Sequence, residues 1–160
     1  MNTLAVLVKN SPNVLSKVAQ LFSRNGYNIE SLAVGVTDNT EISRMTIVVS
    51  DDDHVLNQII KQLDKLTEII RVSNLNPEET IKRELAFFKV KVNKTNRSEV
   101  MQIVKVFRAQ IVNVSINNLV ISVTGTSSKI NAIEKLLQSF GIMEVVRTGT
   151  IAIDRNTEII

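Results

Sequence analysis

Chemistry-bearing side chains are few in this chain, and the most informative of them lie in its first third. Asp51-Asp52-Asp53-His54 is the one place where carboxylates and an imidazole cluster, which makes it the only candidate for a metal site. The same four residues precede a helical pattern, and acidic groups are stabilising at a helix N-terminus, so the cap role is the simpler reading. His54 is the only histidine and there is no cysteine, Gly-x-Ser-x-Gly or P-loop pattern, so no nucleophilic or phosphate-transfer constellation is present. The second stretch is Asn10-Ser11-Pro12-Asn13, together with Asn25-Gly26-Tyr27-Asn28-Ile29-Glu30-Ser31-Leu32. Ser11 before Pro12 reads as an N-cap followed by a first helical residue, which predicts a helix from Pro12 to about Asn25, ended by Gly26. The free N–H groups at its start suit a carboxylate or another anion. By themselves Asn10 and Asn28 read as ordinary turn asparagines.

These stretches are positioned by a repeating order of elements. Residues 3–9 form an apolar strand, the helix follows, and residues 29–37 and 42–50 alternate as a hairpin around the polar connection Asp38-Asn39-Thr40-Glu41. Val55, Leu56, Ile59, Ile60, Leu63 and Leu66 then trace one helical face over residues 52–66, and residues 67–75 supply a last strand. Asn76-Pro77-Glu78-Glu79-Thr80 reads as a polar linker. The second half repeats the order: a strand over 83–93, a helix capped by Asn96 with Glu99 as capping-box partner, then strands over 111–116 and 119–124. Asn117-Asn118 suits the positive φ angles of a two-residue turn between them. A helix from Ser127 or Ser128 to Gly141 and a final strand over 143–153 complete it. The expected fold is α+β, two ferredoxin-like βαββαβ domains in tandem, spanning residues 3–76 and 83–160 with a linker at 77–82. Both faces of the first strand are apolar, so self-association is expected to cover the face that the helices leave open.

The composition excludes several classes. With 160 residues and 44% hydrophobic content the chain is too apolar for disorder, and no apolar run reaches the length of a membrane span. The polar start Met1-Asn2-Thr3 offers no signal-peptide core, and the absence of cysteine fits a reducing compartment. Net charge is +3, from 19 basic and 16 acidic residues spread along the chain, which indicates solubility and not a nucleic-acid surface. The ferredoxin-like sheet is also that of RNA-recognition motifs, but residues 3–9 and 41–50 hold no aromatic residue on which a base would stack.

Asn10 to Leu15, the run from Leu21 to Leu32 and Ser43-Arg44-Met45-Thr46-Ile47 resemble the small, regulatory subunit of acetolactate synthase (acetohydroxyacid synthase). The resemblance continues in Phe107-Arg108-Ala109-Gln110-Ile111-Val112, Gly125-Thr126-Ser127-Ser128-Lys129 and Arg147-Thr148-Gly149, and so covers essentially the whole chain. It implies an N-terminal ACT domain, a homodimer, and a non-catalytic chain that activates a separate catalytic large subunit and confers feedback inhibition by a branched-chain amino acid, usually valine. It also implies that thiamine diphosphate, Mg2+ and FAD belong to that partner, with no cofactor on this chain. The location implied is a bacterial cytoplasm, or a plastid stroma if the gene is carried by the organelle. The rival reading is a free-standing amino-acid sensor acting on another partner; the second ferredoxin-like half speaks against it.

With the resemblance in hand, the effector site is expected at Asn10, Ser11, Pro12, Asn13, Val14, Asn28 and Ile29. Backbone N–H groups around Asn13 and Val14 would take the carboxylate, the Asn28 side chain would accept from the ammonium, and Ile29 or Leu32 would wall the side chain. Asn10 would order the loop. One departure stands out: the family usually carries glycine where this chain has Asn13, which is expected to weaken inhibition.

Overall fold

Leu4, Val6 and Val8 alternate with Ala5 and Leu7 along β1 (Asn2–Lys9), and this two-sided apolar strand lies in the middle of a sheet. The computed structural model describes residues 1–50 and 52–156, so Asp51 lies outside the described residues. The chain divides into two compact units, Met1–Ile81 with the segment from Thr150 onward, and Lys82–Gly149.

In the first unit β1 is followed by α1 (Val14–Asn25), β2 (Ser31–Val36), β3 (Ile42–Val49), α2 (Asp53–Leu63) and β4 (Ile69–Asn74). The antiparallel sheet runs β2-β3-β1-β4. Leu4, Val6 and Val8 pack with Val18 and Phe22 of α1 and Leu56, Ile59 and Leu63 of α2 in one core. α1 ends at Gly26, whose φ of 69° is the left-handed conformation that the Asn25-Gly26 pair predicts, and Tyr27 N–H closes the turn on Phe22 O at 3.0 Å. Asp52 caps α2 by accepting from Val55 N–H at 2.9 Å.

The second unit contains β5 (Thr80–Lys91) from Lys82 onward, α3 (Arg97–Val106), β6 (Gln110–Val114), β7 (Asn118–Gly125), α4 (Ser127–Leu137) and β8 (Ile142–Arg147), along the path β6-β7-β5-β8. Ala86, Phe88 and Val90 of β5 turn inward against Val100 and Val104 of α3 and Ile130, Ile133 and Leu137 of α4. The βαββαβ order therefore occurs twice. Thr126 caps α4, its hydroxyl accepting from Lys129 N–H at 3.4 Å, and Gly141 follows at φ 92°.

Local readings are corrected in five places. α1 begins at Val14 and not at Pro12, because Asn13 stands at its N-cap with φ 72°. Asn96 occupies the N-cap of α3 but makes no cap bond; its side-chain oxygen accepts from Asn93 N–H at 2.7 Å. The hairpin turn lies at Ile116-Asn117, closed by Ser115 N–H on Asn118 O at 2.9 Å, and neither Asn117 nor Asn118 has a positive φ. Thr80, read as linker, already opens β5. The expected strand over 143–153 is two strands, since Gly149 at φ 83° breaks it and β9 (Ile151–Asp154) returns to the first unit.

This return changes what covers β1. Ala5 and Leu7, on the face away from the helices, are 0% and 4% exposed because Leu75 and Ala152 of the same chain pack on them. Arg44 Nη2 donates to Ala152 O at 2.8 Å, and Thr150 N–H donates to Ser31 Oγ at 2.8 Å, so β9 is fastened by hydrogen bonds as well as by packing. No second copy is required at Ala5 and Leu7. The apolar side chains left open in this unit include Val34 and Val36 on the edge strand β2 and Ile151 and Ile153 on β9.

The Thr3 hydroxyl is buried without a partner. A methyl group in its place loses no hydrogen bond and removes a desolvated polar atom, so Thr3→Val is expected to stabilise the chain by about 1 kcal/mol. A thermal melt of the two proteins should show a rise of a few degrees.

Candidate functional site

The loop from Asn10 to Asn13 leaves β1 and enters α1. Its first residue is tied down twice: Asn10 N–H donates to Glu41 O at 2.7 Å and Asn10 Nδ2 to Thr40 O at 2.8 Å. Asn10 thus binds the loop to the β2–β3 hairpin. Ser11 N–H then donates back to Lys9 O at 2.9 Å, and Ser11, Pro12 and Asn13 are all exposed.

Asn13 has φ 72° and ψ −5°, and its side chain caps nothing. Its carbonyl accepts the first helical bond, from Lys17 N–H at 3.0 Å, so the turn is well formed while the N–H groups at its head lack a side-chain acceptor. A left-handed residue here is a position for glycine, with asparagine the best substitute because its short polar side chain tolerates that region. This supplies a conformational reason for a glycine that the sequence reading ascribed only to space for a ligand. The signal was present in the residue type, but reading Pro12 as helical hid it.

Val14 is 4% exposed and belongs to the core, so only its backbone faces the loop. Ile29 packs against that same core. Asn28 is exposed, and its Nδ2 donates to Glu30 Oε1 at 2.7 Å, where Ser50 Oγ also donates at 3.1 Å. Its amide oxygen, the atom needed to accept from an ammonium, remains available. Among the described residues no hydrogen bond joins the 10–14 loop to Asn28 or Ile29. What connects them is Val14 and Ile29 on one core, with Tyr27 set edge-on to Phe22 at 6.1 Å between ring centroids.

Lys17, one turn into α1, bonds the Glu68 carboxylate, and this bond outweighs the opposing effect of burial and holds the Glu68 carboxyl below its usual range. Of the clustered acids and imidazole, Asp52 is engaged in the cap of α2 and His54 Nε2 lies 3.1 Å from Gln58 Nε2; among the described residues, which do not include Asp51, no group of metal-ligating side chains occurs. No helix among them is long and apolar enough to cross a membrane.

A βαββαβ unit with a pinned loop before its first helix is an ACT-like fold, and residues 4–71 match the AHAS small subunit-like ACT domain. Residues 83–156 match the small subunit of acetolactate synthase. The chain belongs to the acetolactate synthase small-subunit family. It is 46% identical over 157 residues to a probable acetolactate synthase small subunit of Archaeoglobus fulgidus, covering 98% of both chains. It is 44% identical over 154 residues to the acetolactate synthase small subunit of Mycolicibacterium smegmatis, covering 96% of this chain and 91% of that one. The crystal structure of the acetolactate synthase small subunit from Thermotoga maritima superposes with a TM-score of 0.91 at 38% identity, over 98% of each chain.

Proposed function

We propose that this chain is a non-catalytic regulatory subunit: it binds the catalytic large subunit of acetolactate synthase, raises its activity, and transmits feedback inhibition by valine or another branched-chain amino acid. The observation that carries the reading is the head of α1, where uncapped N–H groups follow a loop that Asn10 holds to the hairpin. Family membership over the full length supports the partner. Thiamine diphosphate, Mg2+ and FAD would reside on that partner, and the pair would work in the cytoplasm or plastid stroma. In this reading the effector contacts are Asn10, Ser11, Pro12, Asn13, Val14, Asn28 and Ile29. Residues 3–76 bind effector and dimerise, and residues 83–160 serve activation. The edge strand β2, with unpaired backbone and the exposed side chains of Val34 and Val36, is the surface suited to pairing two copies.

Reconstitution with the catalytic subunit tests this. The chain alone should form no acetolactate, should raise the partner's rate, and should make that rate valine-sensitive; a chain that neither binds nor activates the large subunit would overturn the proposal. Within it, Asn13→Gly should keep the left-handed turn, remove a Cβ from the ligand's path, and tighten valine inhibition about three- to tenfold with an unchanged uninhibited rate, since half of a charge-assisted hydrogen bond is worth about that factor. Equal or weaker inhibition would show that Asn13 is a neutral or productive contact.

A further inference from the structure

In the second unit the loop between β5 and α3 stands where the first unit has its Asn10 loop, and it is tied to the neighbouring hairpin in the same way. Val92 N–H donates to Asn117 O at 2.9 Å, as Asn10 N–H donates to Glu41 O. The side chains differ. Asn10 spends its amide on the hairpin, whereas the buried Val92 has no polar group to give, and a cavity of about 410 Å³ remains between loop, hairpin and the start of β8.

Asn96, Asn117, Asn118 and Lys91 line it on the polar side and Phe140 and Met143 on the apolar side. Among the described residues, the amides of Asn117 and Asn118 and the Lys91 ammonium have no hydrogen-bond or ion-pair partner. Lys91 is also placed: its stem lies against Gly141, where an added Cβ would come 3.6 Å from Lys91 Cδ, and the φ of 92° keeps that position to glycine. No carboxylate is among the described residues that line the cavity, and the nearby Glu144 faces Lys89 at 3.4 Å.

We infer that this cavity is a second ligand site, for a small monocarboxylate with an apolar tail. The ammonium of Lys91 takes the carboxylate, the asparagine amides serve a neighbouring oxygen or nitrogen, and Phe140 and Met143 cover the tail. One cation facing Asn93, Asn96, Asn117 and Asn118 suits a singly negative ligand better than a zwitterion, since among the described residues no carboxylate lines the cavity to offset the charge of the zwitterion's ammonium. In the first unit, by contrast, the Glu30 carboxylate stands beside Asn28. A 2-oxo acid therefore fits better than the corresponding amino acid.

The test is an NMR titration of the isotope-labelled full chain with 3-methyl-2-oxobutanoate and, separately, with valine. The side-chain amide signals of Asn96, Asn117 and Asn118 should move with the oxo acid at millimolar concentration and less with valine. Lys91→Met keeps the stem over Gly141 and should weaken this response about tenfold or more, the worth of a charge-assisted hydrogen bond. Asn13→Gly should leave it unchanged, which separates this site from the one in the first unit. Movement with valine alone, if lost in Lys91→Met, keeps the site and names an amino acid as its source. The inference fails if these amides stay still with both compounds, if only first-unit signals move, or if Lys91→Met responds like the parent. Lys91 is exposed, so the variant is expected to fold; should it not, the parent titration decides.

Discussion

Arg147→Met is expected to lower the stability of the second unit by about 2 to 3 kcal/mol. Arg147 on β8 reaches three groups: it pairs with Glu84 of β5, donates from Nη1 to Asn131 Oδ1 at 2.7 Å, and lies 3.7 Å from Glu134 Oε2. Glu84 is the reason for the size of the effect. Its side chain is 5% exposed, so without the guanidinium it is a buried carboxylate lacking its counter-charge. The Arg147 side chain is 30% exposed, and partial access to water puts the cost below that of a fully enclosed pair. Methionine keeps most of the stem packing, which leaves charge as the main change. Urea denaturation of the full chain should show the loss, and pairing Arg147→Met with Glu84→Leu should recover most of it, because an apolar pair leaves no charge stranded. A loss below about 0.5 kcal/mol would show that the pair behaves as a solvated surface contact.

Ala5→Leu carries the next largest effect, and its sign is the informative part. On a sheet face open to water a leucine at the centre of β1 would be neutral or helpful. Here Ala5 is 0% exposed beneath Leu75 and Ala152, so three added carbons must push β9 away or strain the strand. The expected cost is about 2 kcal/mol. Displacement of β9 should also release the bond from Arg44 to Ala152 O and speed hydrogen exchange at the residues of β9. A leucine that stabilised the chain would mean that β9 does not cover this face in solution.

The sequence by itself determined the repeated βαββαβ order, because helical and strand periodicities alternate clearly and Gly26 and Asp52 mark helix ends by their own conformational and capping chemistry. It also pointed to the Asn10 loop through its turn-forming residues, although the bond from Asn10 Nδ2 to Thr40 O joins residues far apart in the chain and was set by the tertiary structure. Where local signals competed, it misled: Ser11-Pro12 has the form of a helix start, yet Asn13 in the left-handed region delays the helix to Val14. Asn117-Asn118 has the form of a primed turn, yet the register Val114↔Leu119 puts Asn118 inside β7. The covering of β1 was decided by the tertiary structure alone. Apolar residues on both faces of a strand say that both faces are buried, but not by what, and Ala152 lies far along the chain from Ala5. The pairing of Glu84 with Arg147 and the free amides around Lys91 are of the same kind, set by strand register and by the one buried valine that stands where the first unit has Asn10. Periodicity is a property of neighbours along the chain, whereas these contacts depend on which distant segments the closed sheets bring together.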